Sequence, residues 1–178
     1  MCATFNIDKT TLERYSRGLA GAPTVRPGGD VFPSDTAVIL TLRGPQLCEW
    51  GFSISGKKGA IINARAETVE QRPMFSQSFM SRRCVVPSNG FYEWDAQKRK
   101  RLFVPTNGAT LFLCGFYRNE NGRDKFVVLT KQSTPPVDLY HDRIPVIAAD
   151  DQARNYIKDT NFACDFICSD TDFLLCNA

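Results

Sequence analysis

Three consecutive segments constrain this chain more than any other feature. RLFVPT (101–106), TLFLCGFYR (110–118) and KFVVLTK (125–131) are rich in β-branched and aromatic residues, and Asn-Gly pairs at 107–108 and 121–122 separate them. Such runs at even spacing with Asn-Gly turns predict a β-meander. TAVILTL (36–42) and LCEWGFSIS (47–55) read as two further strands, and CVVPSN (84–89) with GFYEWD (90–95) as two strands around a turn. Helical signals are confined to short stretches. In DKTTLERYSRGLAG (8–21), Thr10 and Glu13 fit a capping box, Leu12, Tyr15 and Leu19 share a face, and glycines end the pattern. AADDQARNYIKD (148–159) reads as a helix capped by Asp150 or Asp151. ARAETVEQRPMF (64–75) and SQSFMSRR (76–83) read as polar loop with short helical pieces, and APTVRPGGDVFPSD (22–35) as a connector. No repeat or linker divides the 178 residues. The prediction is one α+β domain over 1–178, β-rich, with an open barrel or sheet and short peripheral helices.

Seven cysteines, an odd number, argue against a disulfide framework: Cys2, Cys48, Cys84, Cys114, Cys164, Cys168 and Cys176. Most lie in apolar surroundings and read as small core hydrophobes, while Cys164 and Cys168 are neighbours on a helix face. A single histidine and no second cysteine pair at finger spacing speak against a zinc site. Neither a signal peptide nor a membrane-length apolar run is visible, so the expected setting is the cytoplasm, with no membrane partner. The net charge of +3 permits nucleic-acid binding without arguing for it.

Four places carry chemistry that a purely structural chain would not need. Cys2 directly follows Met1. Removal of Met1 would expose a 1,2-aminothiol, which no internal cysteine offers. In INARAET (62–68), Asn63, Arg65 and Glu67 alternate and would project to one side of an extended segment. In GFYEW (90–94), Glu93 lies between Tyr92 and Trp94 in an otherwise buried strand. A carboxyl in such a place is pushed toward neutral pH and can exchange protons there. YHDRIP (140–145) holds the one histidine, His141, followed by Asp142 and Arg143. Around these sites gather Arg65, Arg72, Arg82, Arg83 and the run Lys98–Arg101, interleaved with Trp50, Phe91, Tyr92 and Trp94. Cations for phosphates and flat rings for bases are the pattern of single-strand binding.

Taken in order, MC at the start, INARAET, RRCVVPSNGFYEW, FVVLT and YHDRIPVI resemble the SOS-response-associated peptidase family, the abasic-site processing proteins. The resemblance runs from residue 1 to about 150. It implies a β-rich domain that loses Met1 by self-processing and captures abasic sites in single-stranded DNA through Cys2 as a thiazolidine. Carried over, Asn63, Glu93 and His141 are the other catalytic candidates. Arg65 would face the DNA backbone, with Arg82, Arg83, Trp50, Trp94 and Thr130 as further DNA-facing candidates. The resemblance calls for no metal or nucleotide cofactor and implies a monomer. The chain departs from the family pattern at Ala3 and Thr4, where glycine and arginine are usual, at SISGKK after EWGF, and in its short C-terminal region. Two rival readings are an N-terminal-nucleophile amidohydrolase and a nucleic-acid-binding module without catalysis.

Overall fold

The computed structural model describes residues 2–24, 26, 28–56, 58–169 and 175–177. Met1, whose removal the sequence reading invokes, lies outside them, as do residues 170–174 of the tail. In chain order, the first third holds β1 (Phe5–Asn6), α1 (Lys9–Tyr15), β2 (Asp30–Val31), β3 (Thr36–Thr41), β4 (Gly44–Trp50), β5 (Phe52–Ser53) and β6 (Ala60–Ile61). The middle holds β7 (Asn63–Arg65), a 3-10 turn at Ala66–Thr68, α2 (Ser76–Ser81), β8 (Arg83–Ser88), β9 (Gly90–Trp94) and β10 (Lys100–Pro105). Then come β11 (Leu111–Glu120), β12 (Arg123–Gln132), a 3-10 turn at Val137–Leu139, β13 (Arg143–Pro145), β14 (Ile147–Ala148), α3 (Asp150–Lys158), α4 (Thr160–Phe166) and β15 (Leu175–Asn177).

Five of these strands close into a ring. β12 pairs with β4 in parallel, β4 with β3, β3 with β8, β8 with β11, and β11 returns to β12. The predicted open barrel or sheet is thus a closed barrel, extended by β7, β13 and β14. Closure removes the exposed edges that a sheet of this kind otherwise has to protect. A second sheet has the order β15-β10-β9-β1-β2. Runs such as TLFLCGF and FVVLT show no polar alternation because both faces of those strands are buried. One face packs with Phe5, Phe91 and Phe103 of the second sheet. The other packs with Phe79, Ala153, Tyr156, Ala163 and Ile167 of and beside the helices.

Several expectations need correction. The β8–β9 pair is no hairpin. Only Asn89 separates the strands, too little chain for a reversal, and each strand pairs elsewhere: β8 in the barrel, β9 in the second sheet. The segment is a corner. Ser88 Oγ donates to Gly90 O at 2.7 Å and accepts from Gly90 N at 3.1 Å. A Cβ on Gly90 would meet Phe103 O at 2.7 Å, so the crossing strand excludes any larger residue. The meander is likewise interrupted, because β10 pairs with β9 and β15 while β11 pairs with β8, β12 and β14. The Asn107-Gly108 stretch therefore connects two sheets. The Asn121-Gly122 turn is a true hairpin, with both residues at positive φ. The helix caps also shift. Asp8, not Thr10, accepts from Thr11 N at the start of α1. Ala149 precedes α3, with Asp150 and Asp151 inside its first turn, where carboxylates complement the helix dipole. The C-terminal region holds α4 and β15.

Candidate active site

The corner at Asn89 carries Glu93 out of the barrel and into the second sheet. There β1 lies against β9, with Phe5 opposite Phe91 and Asn6 opposite Gly90. Tyr92 N donates to Thr4 O at 2.9 Å, so the N-terminal residues continue alongside the Glu93 segment. Across the gap, β7 runs parallel to β12, with Asn63 opposite Val128. The loop after β12 brings His141 to the same place, just before β13. The site thus forms between the barrel and the second sheet, from four stretches far apart in sequence.

Asn63 Nδ2 donates to Cys2 O at 2.8 Å. Asn63 Oδ1 is buried and has no hydrogen-bond partner among the described residues. A buried acceptor left unmatched is costly, and it is available to a donor brought by a ligand. Cys2 has no exposed surface; its thiol donates to Thr4 O at 3.7 Å. Burial pushes that thiol far above its ordinary range, and the Glu93 carboxyl adds to the effect. Glu93 is 1% exposed, and burial, with a smaller contribution from Asp142, raises its carboxyl to about 7. His141 Nε2 lies 3.9 Å from Glu93 Oε2. Burial lowers the imidazole below its usual range. Its Nδ1 accepts from Arg143 N at 2.9 Å, which places the proton of the neutral ring on Nε2, facing Glu93. The site therefore offers a carboxyl poised near neutral pH, a neutral imidazole beside it, and an amide holding the backbone of Cys2.

Asn63, Arg65 and Thr130 also line a groove of about 530 Å3, together with Thr68, Arg72 and Met74. Arg65 and Arg72 are exposed on it. Thr130 is 1% exposed, and its carbonyl accepts from Arg143 Nη2 at 2.5 Å. Among the described residues no group of three or more His, Cys, Asp or Glu side chains could hold a metal ion. No described helix is long and apolar enough to cross a membrane.

The model of the SOS response associated peptidase family matches residues 1–165. The chain belongs to that family. It is 29% identical over 116 residues to the abasic site processing protein YoaM of Bacillus subtilis, covering 60% of this chain and 51% of YoaM. With the abasic site processing protein YedK of Escherichia coli it shares 25% identity over 142 residues, covering 72% of this chain and 64% of YedK. The chain spans about half the length of the Bacillus relatives it matches. Its fold is that of a Bordetella bronchiseptica protein solved by X-ray crystallography, at a TM-score of 0.80 and 19% identity over 99% of both chains. A Bacteroides thetaiotaomicron structure also gives 0.80, at 18% identity, over 99% of this chain and 91% of that one.

Not every DNA-facing candidate carried over from the family is free to act as one. Trp50 has no exposed surface; its indole donates to Ile62 O at 3.0 Å and its ring packs on Phe5 and Phe126. It cannot stack on a base in this structure. Arg83 is 6% exposed and donates to Tyr156 O, Phe79 O, Met80 O and Thr160 Oγ1, tying β8 to the helices. These two positions correct the expectation of DNA-facing side chains: the residue types suit DNA, but each side chain is used inside. Arg82 is half-buried against α2, donating to Ser78 Oγ at 3.3 Å. Trp94 is half-buried, and strand alternation puts it on the face of β9 opposite Glu93. The basic run is largely paired, Arg99 and Arg101 with Asp95, and Lys100 with Asp30. Sequence reading gave no role to Met74 or Thr68. They come to the site through the tertiary fold, and no local pattern marks them.

Proposed function

We propose that this chain captures abasic sites in single-stranded DNA through the aminothiol that removal of Met1 would create on Cys2. The observation that carries the reading is the hydrogen bond from Asn63 to Cys2 O, with Glu93 and His141 gathered at the same place. An amide that grips the second residue's backbone is suited to holding a reactive N-terminus. The names of the relatives point the same way, since each is called an abasic site processing protein.

The chemistry balances without an added oxidant or reductant. The ring-opened abasic sugar presents an aldehyde at C1′. The neutral α-amine of Cys2 attacks that carbon to give a carbinolamine, which loses water to become an imine. The thiol then adds to the imine carbon and its proton passes to nitrogen, closing the thiazolidine. One water is lost overall. Because the thiol is already attached, closure is intramolecular and fast relative to any external thiol. A carboxyl near neutral pH suits both proton delivery in the loss of water and proton removal from the amine, so Glu93 is assigned as shuttle. His141 is assigned as acid near the sugar oxygen. Its elevated pKa makes the Cys2 thiol a poor first nucleophile, which favours attack by the amine before the sulfur.

Denaturing electrophoresis of the protein with single-stranded DNA carrying one abasic site, beside its intact mass, tests this reading. A heat-stable shifted band from protein lacking Met1 supports it. No shifted band from such protein overturns the covalent step and leaves a binding module. Two smaller effects follow. Asn63→Ala slows adduct formation about tenfold, the worth of one ordinary hydrogen bond; an unchanged single-turnover rate would remove Asn63 from the site. Arg65→Ala and Arg72→Ala each weaken binding to undamaged single strands without altering sequence preference. Each reduces the slope of log affinity against log salt by about 1 if it contacts a phosphate; an unchanged slope would place the strand elsewhere.

A further inference from the structure

INARAET contributes more to the site than Asn63 and Arg65. Its Glu67 lies just past β7, in the 3-10 turn, and reaches across to the mouth of the loop 133–142 that carries His141. The last pair of the β12–β13 ladder is Gln132 opposite Arg143. Glu67 grips both members. Its Oε1 accepts from Gln132 N at 3.2 Å and from Arg143 Nη1 at 2.6 Å, and its Oε2 accepts from Arg143 Nη2 at 2.8 Å. Such two-pronged guanidinium–carboxylate contact fixes direction as well as distance. Arg143 is additionally tied to Thr130 O. Beyond this rung, Ser133 holds the returning chain, donating from N to Asp142 O at 3.0 Å and from Oγ to His141 O at 2.6 Å.

The held rung has a direct consequence for the imidazole. Arg143 N is the donor to His141 Nδ1. Asp142 Oδ1 lies 3.0 Å from the same nitrogen. These two neighbours make opposite demands. A donor at Nδ1 keeps the proton on Nε2, facing Glu93, whereas a carboxylate at Nδ1 draws the proton to Nδ1 and turns an acceptor toward Glu93. Asp142 is largely exposed and free to swing, while Arg143 N is fixed only as well as its rung is fixed.

We propose that Glu67 is a positioning residue for His141: by clamping Gln132 and Arg143 it keeps the Arg143 N–H on Nδ1 and so holds the Nε2–H tautomer that faces Glu93. The same carboxylate couples the segment bearing Asn63 to the loop bearing His141. The role deepens the abasic-site reading, and it is testable apart from it.

His141 is the single histidine of the chain, so its ring nitrogens give one unambiguous set of 15N signals. Long-range 1H–15N correlation of the uniformly labelled protein at a pH where the ring is neutral measures the tautomer ratio without DNA. The wild type is expected to show Nε2–H in excess. Glu67→Ala shifts the ratio toward Nδ1–H by about two- to tenfold, the worth of one weakened hydrogen bond. Glu67→Gln, which keeps one acceptor oxygen, falls between them. Adding Asp142→Asn to Glu67→Ala restores the wild-type ratio, because the competing acceptor is weakened. A ratio unchanged in Glu67→Ala, with the backbone amide spectrum otherwise native, overturns the proposal. If the ratio shifts as expected but no DNA adduct forms in any variant or the wild type, the positioning role stands and the abasic-site reading fails.

Discussion

Without a reductant neither Cys2→Ala nor Cys2→Ser gives a heat-stable adduct with abasic-site DNA, and each gives one when a hydride reductant is present. The two variants separate the amine from the thiol. Alanine and serine both leave an α-amine at the N-terminus once Met1 is removed, so imine formation remains open to each. Neither can close a thiazolidine. An imine hydrolyses on heating, whereas a ring closed through sulfur does not open as readily. Intramolecular ring closure of this kind carries effective concentrations on the order of 10⁵ M or more, so the stable fraction should fall at least about a hundredfold. The controls lie in the fold. Cys2 is fully buried in the cluster that holds Phe5, Trp50 and Phe91, so truncation removes a core atom as well as a reactive one. Thermal unfolding must therefore accompany the gel, and serine, close in shape to cysteine, guards against a trivial loss of structure. Both variants should keep salt-sensitive binding to undamaged single strands, because Arg65 and Arg72 are untouched. A heat-stable adduct formed by Cys2→Ala without reductant would sink the proposed role of the thiol.

The strands were legible because burial on both faces leaves an unmistakable mark: TAVILT, RCVVPS, LFLCGF and FVVLT carry hardly a charge between them. Their partners were not legible. Asn89 and Asn107-Gly108 look like turns in the sequence, and both are turns, but they pass the chain from one sheet to the other. Nothing local distinguishes a reversal from a corner; the difference is set by Gly90 passing under Phe103 and by the ring closing through β12 and β4, a parallel pairing between distant segments. The site divides along similar lines. Glu93 was found through its conflict with its surroundings, a carboxyl in a buried strand, and the structure places it with Asn63, Cys2 and His141. Trp50 and Arg83 failed for the opposite reason. Their residue types suit nucleic acid, yet the core uses an indole for its area and a guanidinium for the carbonyls it can satisfy at once. Exposure, which residue type does not encode, decided against them. Glu67 and Arg143 lay in quoted motifs, but their partnership spans 76 positions and is visible only in three dimensions.

The second large effect concerns stability as well as rate. Glu93→Gln should make the protein more stable at alkaline pH than the wild type while slowing adduct formation by about 10² or more. The sign follows from the raised carboxyl. Its ordinary value of 4.5 in the unfolded chain rises to about 7 on folding because burial disfavours the anion. Between those values the native state holds a proton that the unfolded chain has released, so wild-type stability falls as pH climbs through that window. The favourable contribution is complete below pH 4.5 and gone above pH 7. A displacement of this size corresponds to about 3 kcal/mol. Glutamine is neutral throughout and loses nothing over the same range. Any fixed penalty for fitting the amide is independent of pH, so the informative quantity is the change in the difference between variant and wild type. Denaturant unfolding at pH 5 and pH 8 reads it directly. The variant's advantage should grow between the two, and a difference that stays flat would mean that Glu93 ionises like an ordinary surface carboxylate. The kinetic loss comes from the same property. A group kept half-protonated at neutral pH is strained as a structural element and useful as a proton carrier, so relieving the strain removes the shuttle.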